Sequence, residues 1–132
     1  MFAAVGKLAA YFRGTPVRSV VLDGSTGLLT EVTLVRGRFH DNGSEAAVVE
    51  RDPATGLVVR RMFYQHGTLH RDTGPAYVEY SPASGHVTLE VFCRHGRLDW
   101  GVAGAAAVDY EARTGRRLRY DLFRPGSPPV AI

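Results

Sequence analysis

The stretch GTLHRDTGPAYVEYSPASGHVTLEVFCRH, from Gly67 to His95, decides the architecture because the chain repeats it. GRFHDNGSEAAVVERDPATGLVVRRMFYQH (Gly37 to His66) precedes it, and GRLDWGVAGAAAVDYEARTGRRLRYDLFRP (Gly96 to Pro125) follows it. A more diverged copy, GKLAAYFRGTPVRSVVLDGSTGLLTEVTLVR, runs from Gly6 to Arg36. Units that recur at a fixed period bury their apolar faces mainly against neighbouring units. The 132-residue chain therefore reads as one repeat domain over 1–126, with units 6–36, 37–66, 67–95 and 96–125 and a flexible tail at 127–132.

Inside each unit two strands flank a four-residue turn: Gly24 to Gly27, Pro53 to Gly56, Pro82 to Gly85 and Ala112 to Gly115. Early proline presets φ and the closing glycine supplies φ > 0, so each is a hairpin turn with a mechanism. Successive turn glycines lie 29, 29 and 30 residues apart. Seven residues before them stand Val20, Val49, Val78 and Val108, a shared inward position. Seven after them stand Leu34, Phe63, Phe92 and Leu122, again apolar in every copy. His86 to Val91 alternates with period two, the mark of a sheet with one buried face. The prediction is an all-β fold, an antiparallel meander of four β-hairpin repeats in one twisted or curled sheet. The Ala-rich stretch from Phe2 to Phe12 is assigned as a short N-terminal helix cap.

At Gly67-Thr-Leu-His-Arg-Asp-Thr-Gly-Pro-Ala76, with an echo at Gly37-Arg-Phe-His40, the chain resembles bacterial and phage repeat proteins built from G-x-L-H-R-x-x-G-P-A units. Those are similar to MORN repeats, and some are antitoxin-like. The last unit departs from the pattern at Asp99-Trp100 and at Ala105. The resemblance implies a β-hairpin stack and a non-enzymatic interaction role.

Composition agrees with a folded chain: 45% of residues are apolar and 22% charged. No apolar run reaches the roughly 18 residues of a membrane-spanning helix. The single cysteine, Cys93, excludes an intrachain disulfide and fits a reducing compartment, so a cytoplasmic location is expected. Cys93 itself is expected to be a buried structural thiol. Lys7 is the sole lysine among sixteen basic residues, against thirteen acidic ones.

Chemistry-bearing clusters are sparse. Histidines of equivalent position, such as His40 and His70, belong two strands apart, roughly 9–10 Å, too far to share a zinc ion. They are expected instead to bond backbone at the turns. Glu50, Glu79 and Asp109 repeat one position and read as a solvated ladder, not an acid–base dyad. No catalytic, cofactor or metal residue is assigned, and the chain is expected not to be an enzyme. Charge placement says more: in register, the strand-end turns collect Lys7, Arg36, Arg38, His66, Arg94, His95, Arg97 and Arg124 on one rim. The hairpin turns opposite carry Asp23, Asp52 and Glu111, with Arg113 an exception. The expected contact residues for a protein partner are Arg36, Arg38, His66, Arg94, His95, Arg97, Trp100 and Arg124. A homo-oligomer through the sheet face or open edge is a further expectation. Nucleic acid or anionic lipid is the alternative partner for the same basic edge.

Overall fold

A computed structural model describes residues 14–41, 45–98 and 106–121. The stretch assigned to an N-terminal helix, Phe2 to Phe12, lies outside them, as do Trp100, Arg124 and the tail.

The fold is all-β. The main sheet is antiparallel and takes its long strands in the order β1 (Val17–Leu22), β2 (Leu29–Val35), β4 (Val48–Arg51), β5 (Val58–Met62), β8 (Tyr77–Tyr80), β9 (Val87–Val91), β12 (Ala107–Tyr110) and β13 (Arg117–Asp121). The remaining strands are two residues long: β3 (Arg38–Phe39) pairs with β2, β6 (Tyr64–Gln65) with β7 (Thr68–Leu69), and β10 (Cys93–Arg94) with β11 (Arg97–Leu98). The last two pairs are separate two-stranded sheets. This differs from the single sheet expected. The second strands do not run on to Gln65 or Arg94 but break at Phe63 and Phe92, beyond which the chain pairs with itself in a tight hairpin.

The four long hairpins close alike. In each turn the glycine N–H donates back to a carbonyl four residues earlier: Gly27 to Asp23, Gly56 to Asp52, Gly85 to Ser81 and Gly115 to Glu111, at 2.7–2.8 Å. The preceding hydroxyl (Thr26, Thr55, Ser84, Thr114) accepts from the N–H two residues on. Asp23 and Asp52 also accept from backbone inside their turns. These rim carboxylates serve as turn caps.

In the second, third and fourth hairpins the register slips by a residue, between Glu50 and Arg51, Glu79 and Tyr80, and Asp109 and Tyr110. The first hairpin has no slip. Counting forward from the turn glycine therefore selects the wrong residue in the first unit. Thr33, not Leu34, matches Phe63 and Phe92. All three donate their N–H across to an alanine carbonyl (Ala47, Ala76, Ala106) at 2.7–2.8 Å.

Burial occurs on both faces of the sheet. Across it, one row runs Val20–Glu31–Val49–Arg61–Val78–Glu90–Val108. Val49, Val78 and Val108 are buried as expected, but Val20 is 61% exposed, because β1 has only β2 beside it in the sheet order. Ala46 and Phe63 complete a cluster with Val49, and Phe92 packs with Val108 and Tyr110. The neighbouring row carries Met62, Tyr77, Val91 and Ala107 on the opposite face. There Ala76, Val91 and Cys93 are buried together beneath Leu69 and Leu98 of the short hairpins. Cys93 is the buried thiol expected. The supposed ladder of carboxylates is interrupted, since β5 places Arg60 between Glu50 (3.0 Å) and Glu79 (3.7 Å).

The glycines at positive φ separate strain from packing. Gly85 (φ +78°) has open space around it, whereas a Cβ on Gly96 (φ +76°) would lie 2.8 Å from Thr68 Cγ2. Gly85→Ala should cost about 1 kcal/mol and Gly96→Ala about 2–3 kcal/mol, measured by urea unfolding. Adding Thr68→Ser should return part of the Gly96→Ala loss while doing nothing for Gly85→Ala.

Candidate functional site

The short hairpins supply the rim. Each turns on two residues, Arg36-Gly37, His66-Gly67 or His95-Gly96, and both residues of each pair have φ > 0: 49° and 76°, 51° and 80°, 52° and 76°. That is the type I′ turn, whose twist matches the flanking strands. Arginine or histidine in the left-handed region carries a steric cost of roughly 1–2 kcal/mol, so something must hold it there.

At His66-Gly67 and His95-Gly96 what holds it is the preceding short hairpin. Gly67 N–H donates to the Phe39 carbonyl (2.9 Å) and Gly96 N–H to that of Leu69 (2.8 Å). His66 N–H donates to His40 Nδ1 (3.0 Å) and His95 N–H to His70 Nδ1 (2.8 Å). The expected backbone bonding of His40 and His70 is thus present, and it is directed at the turn of the next short hairpin. Ring centroids lie 4.8 Å apart for His40–His66 and 4.4 Å for His70–His95. His40 and His66 of one unit, and His70 and His95 of the next, are thus neighbours. An Nδ1 that accepts must be unprotonated, which assigns the proton to Nε2. In His70, buried with a side-chain exposure of 6%, Nε2 lies 3.1 Å from Asp72 Oδ1. The imidazole is therefore bonded at both ends. Among the described residues no three His, Cys, Asp or Glu side chains gather as a metal site would require.

Arg36, Arg38, His66, Arg94, His95 and Arg97 are all exposed on these turns and the strands beside them. Arg36 folds over Gly14, Arg38 packs over Gly67, and Arg94 Nη2 reaches the Asp72 carbonyl at 3.5 Å. The predicted contact residues that are described therefore share one rim. At the opposite rim Arg113 and Arg116 both approach Glu111, at 3.6 and 3.8 Å, so the exception found in the sequence is matched by a local carboxylate.

A second group of cations was not singled out from the sequence: Arg18, Arg51, Arg61 and Arg71 line one cleft on the sheet face. The signal available was Arg60-Arg61 inside an otherwise apolar strand. Glu31 lies between β1 and β4, and its carboxylate takes hydrogen bonds from Arg18 and from Arg51 Nε (2.9 Å). Those bonds, Arg18's first, hold its carboxyl below the ordinary value of 4.5 against the opposing effect of burial. The Arg18 guanidinium is correspondingly held higher. On β12, burial first and the hydrogen bond to Glu90 second push the Tyr110 hydroxyl up to about 12.

Compared with family models, with curated proteins and with solved structures, the chain matches none.

Two expectations follow from these bonds. His70→Ala strands the His95 N–H and leaves a void, so unfolding in urea should show a loss of about 2–3 kcal/mol, against about 1 kcal/mol for the less buried His40→Ala. His70→Asn, which keeps an acceptor, should recover part of that loss. A carboxyl held low stabilises the fold above its ordinary range and loses that contribution as pH falls through the lowered value. The urea midpoint should therefore drop between about pH 5 and 3 in the native protein, and less steeply in Glu31→Gln.

Proposed function

We propose that the chain is a non-enzymatic protein-interaction module. In this reading four hairpin units form a repeat scaffold that presents the basic rim to an acidic surface of a protein partner, in the manner of an antitoxin, an immunity protein or a phage-encoded inhibitor. One observation carries it. Six exposed basic or imidazole side chains stand on or beside three successive turns, and the backbone of the two His-Gly turns is pinned by the short hairpin before it. Preordered tips lose little freedom on docking, and clustered cations of one sign speed encounter with an acidic partner. Arginine suits this role because its planar fork engages carboxylates two bonds at a time. The resemblance of the Gly67–Ala76 stretch to antitoxin-like repeats points the same way.

The test is a comparative capture from nuclease-treated lysate of the native host. The native protein and the triple variant Arg36→Gln/Arg38→Gln/Arg97→Gln serve as baits at about 150 mM salt. A protein retained in stoichiometric amount by the native bait and lost with the variant is the expected result. Equal retention by both baits would remove the rim from the reading. Capture of nucleic acid alone, fading steeply as salt is raised, would replace the protein partner with a polyanion.

A further inference from the structure

On the sheet face that carries Val49 and Val78 a cleft of about 320 Å³ opens, near the lower limit for small-ligand sites. Its floor is the register triplet Val49–Arg61–Val78, in which both valines are buried. Phe63, Tyr80, Arg18, Arg51 and Arg71 surround it.

The four arginines divide into two kinds. Arg18 and Arg51 are neutralised by Glu31, and Arg18 also by Glu45 at the edge of the cleft. Arg61 and Arg71 have only neutral partners among the described residues. Arg61 Nη1 donates to Tyr80 Oη at 3.1 Å, and its guanidinium carbon lies 5.5 Å from that ring's centroid. Arg71 Nη1 donates to the Pro75 carbonyl at 3.3 Å and its guanidinium carbon sits 3.8 Å from the centroid of the Phe63 ring. Arg71 Nε is buried with no acceptor. A guanidinium carries five N–H donors, so most of the donor capacity of this pair is unspent. Two cations held in one partly buried cleft, neither bonded to a counter-charge, repel each other and lose solvation.

The row across the sheet makes this arrangement specific to one unit. The positions equivalent to Arg61 are Glu31 and Glu90. Each is paired with the end of the next unit's first strand: Glu31 with Arg51, Glu90 with Tyr110, and Arg61 with Tyr80. Only at Arg61 is the sign reversed, and there a second cation, Arg71, lines the same cleft, while the Glu45 carboxylate at its edge is bonded to Arg18. The residues that would complete an ion pair are missing where two guanidinium planes are already fixed against aromatic rings.

We propose that this cleft is a binding site for a small ligand bearing an oxyanion, a carboxylate or a phosphate, gripped between Arg61 and Arg71. Phe63 and Tyr80 act as backing that orients the two forks, and Glu45 sets a limit on how much negative charge the mouth accepts. The site shares no residue with the basic rim, so it stands or falls independently of the protein-interaction reading.

The test is an amide-resolved NMR titration of the native protein with sodium phosphate and, separately, with sodium citrate. Ionic strength is held at about 150 mM with sodium chloride. Saturable shifts centred on residues 61–63, 71 and 78–80 with either probe are expected. Phosphate alone would assign a phosphate ligand, citrate alone a carboxylate, and both the shared oxyanion chemistry. Arg61→Gln or Arg71→Gln should weaken binding roughly tenfold or more, while Arg38→Gln on the rim should change it less than about twofold. Where a glutamine variant fails to fold, Arg61→Lys keeps the charge, removes the fork, and should still weaken binding severalfold. Shifts no larger than chloride produces, or shifts abolished by Arg38→Gln and Arg97→Gln but not by Arg61→Gln, would overturn the proposal.

Discussion

The turn N–H groups of the His66-Gly67 and His95-Gly96 hairpins find acceptors in the short hairpin before them, and the rest of the structure depends on that debt. Gly67 and Gly96 are satisfied by carbonyls of Phe39 and Leu69, His66 and His95 by imidazoles of His40 and His70. A left-handed Arg-Gly or His-Gly pair is unfavourable alone for its non-glycine member. At the two His-Gly turns these bonds and the ring contacts with His40 and His70 offset that cost. The order of strands in the main sheet then brings each hairpin beside its predecessor, and the rim, the cleft and both apolar faces take their places from that order.

A sheet one layer thick must otherwise leave one side wet. This chain shares burial between the two sides. Alanines at 47, 76 and 106 let the incoming chain lie close against the sheet, so that Phe63 and Phe92 cover one face. The short hairpins lower Leu69 and Leu98 over the other, around Cys93. Charged side chains on both faces are paired across strands: Arg60 between two glutamates, Glu31 between two arginines. Arg61 and Arg71 stand out against this pairing.

Much of this was legible in the sequence because glycine spacing and β alternation are local signals. The all-β class, the four turn positions, the buried valines at 49, 78 and 108, the buried thiol and the backbone role of His40 and His70 all came from residues whose neighbours in space are near in sequence or one unit away. What was missed depends on register. The extra residue in three of the hairpins is invisible when copies are aligned on their turn glycines, so Leu34 took the place of Thr33. The interleaving of second strands between first strands hid both Arg60 between Glu50 and Glu79 and the cleft around Arg61. Val20 carries the same letter as its equivalents, yet an outer strand gives it a different fate.

The slipped register also has a consequence for how such a chain can change length. The bulged residues Val59, Thr88 and Leu118 occupy the place where the first hairpin has no counterpart. One residue can thus be gained or lost there while every side chain before and after stays on its own face, a change that elsewhere in a strand would invert the pattern. The position acts as an expansion joint. It lets copies drift apart by single insertions and still dock, and it marks the natural seam for adding or deleting a residue when whole units are recombined.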